Sequence, residues 1–231
     1  MKKNKRLTRL EQLKTVYALF ESQLTGYHLI CKEKCAACCT CNVTLTSLEA
    51  TYMIQTLSDD QKQVLLKKIE NNFPLKRYIP KMTTNQFARF CREGQKIPEE
   101  ENDPLWGQCC LLENSLCSQY ENRPFGCRAL LSSIDCKKHG YAQVSPFLLT
   151  LNNLFLQYIE HMDQDGFSGN LADMLIVSLS GKALKFKSDP IKGTKDDGFV
   201  RNEKISILMV PQEHQKQIQS VIVKLNGILE L

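Results

Sequence analysis

Hydrophobic positions near the start of the chain fall at helical spacing. Leu10, Leu13, Tyr17, Phe20, Leu24 and Tyr27 alternate intervals of three and four, which lines up one apolar stripe along a lead-in helix. Such a stripe is expected to pack on the domain's own core. Thr46-Ser47-Leu48-Glu49 then has the form of a capping box, a hydroxyl three residues ahead of a carboxylate. It predicts a helix through Ala50 to about Leu57. Ser58 and Gln61 repeat the signal ahead of QVLLKKIENNF, and a short helix is expected at NQFARFCRE, stopped by Gly94. Further on, Ser145-Pro146 pairs an N-cap with proline at the first helical position. The run FLLTLNNLFLQYIEHM predicts a buried helix ending near Gly166, and LADMLIVSL predicts another closed by Gly181. The polar, lysine-rich stretch 182–204 reads as an exposed loop and KISILMV as a short strand with no evident partner. Pro211 opens a last helix, QEHQKQIQSVIVKLNGIL, with Ile218, Val221, Ile222, Leu225 and Leu229 on one side.

Between 96 and 140 the periodicity fades. Pro98, Pro104 and Pro124, with Gly107 and Gly126, mark turns in place of long elements. The expected fold is mostly α, with an irregular cysteine-rich metal-binding region packed among helices. Residues 1–30 form a helical lead-in, 31–140 the cysteine-cluster region, and 141–231 a helical C-terminal part of the same domain.

What holds the irregular region is the question that composition answers. The chain has eleven cysteines: five lie between Cys31 and Cys41, six between Cys91 and Cys136, and none outside those limits. An odd number excludes complete internal pairing. The chain has 231 residues, enough to fold without disulfides. The charged start MKKNKR is followed by LTRLEQLKTVYALFESQL, which carries charge every few residues, so no secretion signal is read there. No apolar run is long enough to span a bilayer. A cytoplasmic setting, with thiols kept reduced, is the expectation, and no membrane partner is foreseen. The net charge of +5 lacks an aromatic-interleaved basic motif, so nucleic acid is not an expected partner, and no protein partner is identified.

The first block has the spacing C-x3-C-x2-C-C, using Cys31, Cys35, Cys38 and Cys39. Cys35-Ala-Ala-Cys38 is a chelating pair. Cys31 would reach the same side through one helical turn. Cys38 and Cys39 are adjacent, so a regular backbone would point them apart and Cys39 would face a second site or a polynuclear cluster. The second block spaces Cys110, Cys117, Cys127 and Cys136 too widely for one chelating turn, which suits loops converging on a centre. Arg123 and Arg128 are placed to offset the charge of about −2 that four thiolates leave on Zn²⁺ or on an iron–sulfur cluster. Cys41, Cys91 and Cys109 read as ordinary buried thiols. His139 follows Cys136 at a spacing a metal pair could use but reads as a surface histidine.

C-x3-C-x2-C-C, then Glu49, then C-x6-C-x2-Y-x2-R-P-x2-C-R resembles the YkgJ-like cysteine-cluster family, a zinc- or iron-chelating family named for a CxxCxxCC motif. The likeness runs from Cys31 to about Cys136, with a first gap of three residues where the family name implies two. It puts the motif cysteines on Cys31, Cys35, Cys38, Cys39, Cys110, Cys117 and Cys127, with Tyr120, Arg123, Pro124 and Arg128 in the second block. The resemblance implies a metal-binding protein holding zinc or an iron–sulfur cluster, its biochemical role otherwise undefined. Because a flagellin lysine methylase is a distant relative of that family, an iron–sulfur-dependent modifying enzyme, such as a protein methyltransferase, is the alternative. A protein-binding adaptor is a second one. No nucleotide-binding glycine motif, nucleophile elbow or HExxH pair is present, so no catalytic residue is named.

Overall fold

The computed structural model describes residues 7–181 and 198–230. The fold is mostly helical. The lead-in helix α1 (Arg9–Gln23) starts at a Thr8/Glu11 capping box and buries Leu13, Val16, Tyr17 and Phe20. After the first cysteine block, β1 (Thr44–Thr46) runs directly into α2 (Ser47–Ile54), with Thr46 and Glu49 forming the expected capping box. The same device at Ser58/Gln61 starts α3 (Asp59–Asn71). A further box at Thr83/Gln86 starts α4 (Thr84–Glu93), which ends on Gly94 with a left-handed φ of 65°.

The irregular region follows as a hairpin and two short helices. Its strands are β2 (Leu112–Glu113) and β3 (Leu116–Cys117), and its helices are α5 (Phe125–Ala129) and α6 (Cys136–His139). Ser145 then caps α7 (Pro146–Met162), the central helix, which is buried along most of its length. Strand β4 (Phe167–Asn170) passes into α8 (Leu171–Ser180), which ends at Gly181. Strand β5 (Phe199–Arg201) precedes a single 3-10 turn over Gln212–His214 and the last helix, α9 (Gln215–Leu229).

The small antiparallel sheet β1-β4-β5 departs from expectation. Most of the stretch read as an exposed loop, 182–197, lies outside the described residues, but its end forms β5. Residues 204–210, read as a strand, form none. The reason is a close approach. Gly169 of β4 pairs with Phe199 of β5, and a Cβ on Gly169 would stand 2.7 Å from the Phe199 ring. Phe199 thus covers a glycine that periodicity cannot identify as a strand position.

Two hydrophobic clusters divide the core. One joins α1, α7 and α9 and is centred on Phe20, Phe125 and Phe155. Phe20 meets Phe125 edge-on at 4.7 Å between centroids, and Phe125 stacks on Phe155 at 5.8 Å. The other joins β1, α2, α3 and α8 through residues such as Leu45, Met53, Ile69 and Leu175. Helix α2 sits between them, giving Tyr52 to the first and Met53 to the second. The cysteine region is fastened to both: Phe125 enters the first cluster, while Leu111 and Cys110 enter the second.

Candidate metal centre

Segment 31–41 runs as two consecutive tight turns. The Cys35 N–H donates to Lys32 O at 3.0 Å and the Cys39 N–H to Ala36 O at 3.2 Å. Lys34 takes a φ of 68° to complete the first turn. The helical turn expected between Cys31 and Cys35 is therefore replaced by a tighter one. The second turn resolves the problem of adjacent thiols. Cys38 and Cys39 are its last two residues, off any regular helix or strand, and both line one cavity. There the neighbouring Cys39 thiol, with burial adding to it, pushes the Cys38 thiol up, while Cys38 pulls the Cys39 thiol down.

Backbone bonds stitch this loop to the second block. The Cys109 N–H donates to Cys39 O at 3.0 Å, the Cys41 N–H to Gly107 O at 3.0 Å, and Thr40 bridges Gln108 in antiparallel fashion. The β2–β3 hairpin turns through Asn114 (φ 49°) and Ser115 (φ 65°), as a two-residue loop with both φ positive requires. Its register sets Cys117 opposite Leu112. Cys127 is carried by α5, and the start of that helix is pinned where the Phe125 N–H donates to Glu49 at 2.7 Å.

These connections enclose a cavity of about 130 Å³ whose wall carries seven cysteines: Cys31, Cys35, Cys38, Cys39, Cys109, Cys117 and Cys127. Six of them are cysteines singled out from the sequence. Cys109 is the seventh, and it lies where spacing had pointed to its neighbour. Cys110 is turned inward, 5% exposed, into the second core cluster. Cys136 sits outside this wall, on an open groove of about 600 Å³ that also contains Cys38. Cys41 packs separately, its thiol 3.5 Å from Lys76 O, and Cys91 is exposed on α4. His139 Nδ1 lies 3.0 Å from Asp135 O, on the surface.

Arg123 and Arg128 both reach the cavity but differ in what they have left to give. Arg123 lies over the Tyr120 ring at 4.0 Å and donates to Tyr120 O. Its charge acts on Cys117 against the burial that pushes that thiol up. Arg128 is 8% exposed and clamps the surrounding chain. It donates to Arg123 O, to Glu121 O and to Glu21 Oε1, and lies over the Tyr17 ring at 4.4 Å. Its main role in this geometry is to hold α1 against the 121–128 turn.

Burial raises the pKa of the Cys31, Cys117 and Cys127 thiols. A bound cation would reverse that preference, since metal binding to thiols releases their protons. The chemistry of the donor set is uniform: the cavity wall has seven sulfurs and no Asp, Glu or His. Such a wall suits soft or borderline metals such as zinc and iron in clusters. Among the described residues, no three metal-ligating side chains lie close enough together to hold a single ion.

Glu49 is the functional neighbour that sequence reasoning described only in part. Beyond capping α2, its fully buried carboxylate accepts from Tyr17 Oη at 2.8 Å and from the Phe125 N–H. One side chain thus joins the lead-in helix, α2 and the cysteine-bearing turn.

Compared with known proteins, the chain matches no family model, no curated protein and no solved structure. Its functional reading rests on the arrangement of its own residues.

Proposed function

We propose that the protein binds a metal centre through thiolates of its two cysteine blocks, an iron–sulfur cluster in preference to a zinc ion. The observation that carries this is the single cavity lined by sulfurs from residues about seventy to ninety positions apart in the chain, with no carboxylate or imidazole among them. Isolated buried thiols do not require such convergence. The C-x3-C-x2-C-C and C-x6-C-x2-Y-x2-R-P-x2-C-R motifs, in the order found in the YkgJ-like cysteine-cluster family, support the same reading.

The cysteine-only donor set, with its clustered first block, favours the cluster over zinc. When bound, such a centre supplies electron-transfer or Lewis-acid capacity. The chain's own contributions are to gather the thiols, to exclude water with Val43, Met53 and Leu171, and to offset negative charge with Arg123 and Lys32.

Anaerobic purification with iron, zinc and acid-labile sulfide measured per chain tests the proposal. Iron and sulfide in matched amounts, with broad visible absorption, are expected. A colourless protein carrying zinc would leave metal binding standing and remove the preference for the cluster. A folded protein that neither carries nor takes up either metal would refute the proposal altogether.

A further inference from the structure

Residues 204–210 have a strand's composition but form no strand, so their backbone groups need other partners. Side chains of α7 supply them. The Glu203 N–H donates to Glu160 Oε1 at 2.8 Å, the Ile205 N–H to His161 Nδ1 at 3.1 Å and the Met209 N–H to Gln157 Oε1 at 2.8 Å. Gln157 Nε2 donates to Ile207 O at 2.8 Å, and Asn85 Nδ2 of α4 donates to Glu203 O at 2.9 Å. A helix thus takes the place of the missing partner strand. The strap it holds packs Ile205, Leu208 and Val210 against the first core cluster.

One of these bonds differs in kind. His161 Nδ1 can accept the Ile205 N–H only as a neutral imidazole with its proton on Nε2. A second proton removes the acceptor and sets one N–H against another. The charges that face the ring are Lys204 of the strap and Arg9 of α1, both cations. The nearby carboxylates are committed elsewhere. Glu160 accepts from Thr83 Oγ1 and the Asn85 N–H as well as from Glu203 N–H. Asp163 is bonded to Ser47, the Leu48 N–H and Asn202. Glu203 forks with Arg89, and Asp165 stands 3.7 Å from Arg9. Burial, with Lys204 and Arg9 acting the same way, lowers the pKa of His161 from its ordinary 6.5.

We propose that His161 is an acid-operated latch on this strap: protonation of the ring frees the Ile205 N–H and lifts the chain around Ile205 from α7 while the rest of the fold stays closed. The latch lies outside the cysteine region and does not depend on the metal-binding reading. Its direction follows from the ring's preference. The fold favours neutral His161, so the latch is closed above pH 6.5 and opens as pH falls through the lower folded-state value. Glu160 works the other way. Burial raises its carboxyl to about 7, so acid supplies the proton that the fold favours there. Opening is therefore confined to the His161 end of the strap, and what it uncovers is apolar, since Ile205 leaves the first cluster.

The test is residue-resolved amide hydrogen exchange on the full chain by NMR, from about pH 7.5 to 5, corrected for the intrinsic pH dependence of exchange. Protection of the Ile205 amide is expected to fall by up to about tenfold per pH unit below the folded-state pKa of His161, while amides in the middle of α7 keep theirs. The imidazole ¹⁵N shifts of His161 should show Nδ1 unprotonated at neutral pH and titrate in step with that loss. In His161→Asn, whose side-chain oxygen can accept without titrating, the pH dependence at Ile205 should disappear. In Glu160→Gln it should remain. Protection at Ile205 that stays constant across the range, or that falls only together with every other amide, would overturn the latch. So would His161 titrating at or above 6.5. The wild-type exchange and ¹⁵N data decide the matter even if either variant fails to fold.

Discussion

Replacing Glu49 by alanine should destabilise the protein by several kcal/mol and loosen the cysteine region, although Glu49 is not on the cavity wall. The side chain is 3% exposed and accepts from Tyr17 Oη, the Phe125 N–H and the Thr46 N–H at 2.8, 2.7 and 2.9 Å. All three donors are buried. A buried donor left without a partner costs about 1–3 kcal/mol, so three stranded donors give roughly 3–9 kcal/mol. Water entering the space left by the carboxymethyl group would satisfy part of that, which puts the expected loss at about 3–5 kcal/mol. A domain has only about 5–15 kcal/mol in total. Glu49→Gln keeps the volume and one acceptor oxygen but turns its amide donors toward N–H groups, and should fall between wild type and Glu49→Ala. Tyr17→Phe in the Glu49→Ala background should recover about 1 kcal/mol or more, because it removes one of the stranded donors. Urea unfolding followed by circular dichroism on identically prepared protein measures all four. If Glu49→Ala lost less than about 1 kcal/mol, the carboxylate would not be the brace described here and Phe125 would be held by packing alone.

Other expected outcomes follow from the same contacts. Burial pushes the Glu160 carboxyl up from its ordinary 4.5 to about 7. The folded state thus holds a proton that the unfolded state releases between those values, and stability should fall as pH rises through that window, by at most about 3 kcal/mol. Asp163 and Glu49, also raised by burial, act in the same direction. Thermal melts from pH 4.5 to 8 would show this, and Glu160→Gln should flatten part of the slope. Phe125→Ala removes the ring between Phe20 and Phe155 and should cost about 3–5 kcal/mol in urea unfolding. Gly166→Ala sets a Cβ 2.2 Å from Ser47 Oγ and 2.5 Å from the Asp163 carboxylate, and should cost about 1–3 kcal/mol by the same measurement. In metal analysis, Cys127→Ser should lower the metal bound per chain, whereas Cys91→Ser, on an exposed helix position, should leave it at the wild-type value.

The helices were legible because their signals are local. Capping pairs at Thr46/Glu49 and Ser58/Gln61, the stop at Gly94 and the start at Ser145-Pro146 all depend on residues within one turn, and each marks the boundary expected. The sheet was not legible, because β1, β4 and β5 are three or four residues long and separated by whole helices. A strand that short carries too few alternations to register as a period. Its identity is fixed by a distant partner, as Phe199 over Gly169 shows.

The cysteine region divides along the same line. Spacing was enough to bring together the two blocks, since thiols so clustered in a chain that needs no disulfides have few other uses. Choosing between Cys109 and Cys110 required the register of the β2–β3 hairpin and the bond from the Cys109 N–H to Cys39 O, neither of which has a local signature. The roles of the arginines were likewise undetermined by residue type. A guanidinium beside thiolates can offset their charge or hold the chain that carries them. Arg123 is placed for the first, whereas Arg128, with three donated bonds and the face of Tyr17, is committed to the second. The two should therefore separate by experiment: Arg123→Gln should change the properties of the proposed centre with little loss of stability, and Arg128→Gln should destabilise the fold with or without added metal. A region with little regular structure of its own thus depends on braces from outside it, Glu49 and Arg128 chief among them. Their loss should reach the thiols without touching any of them.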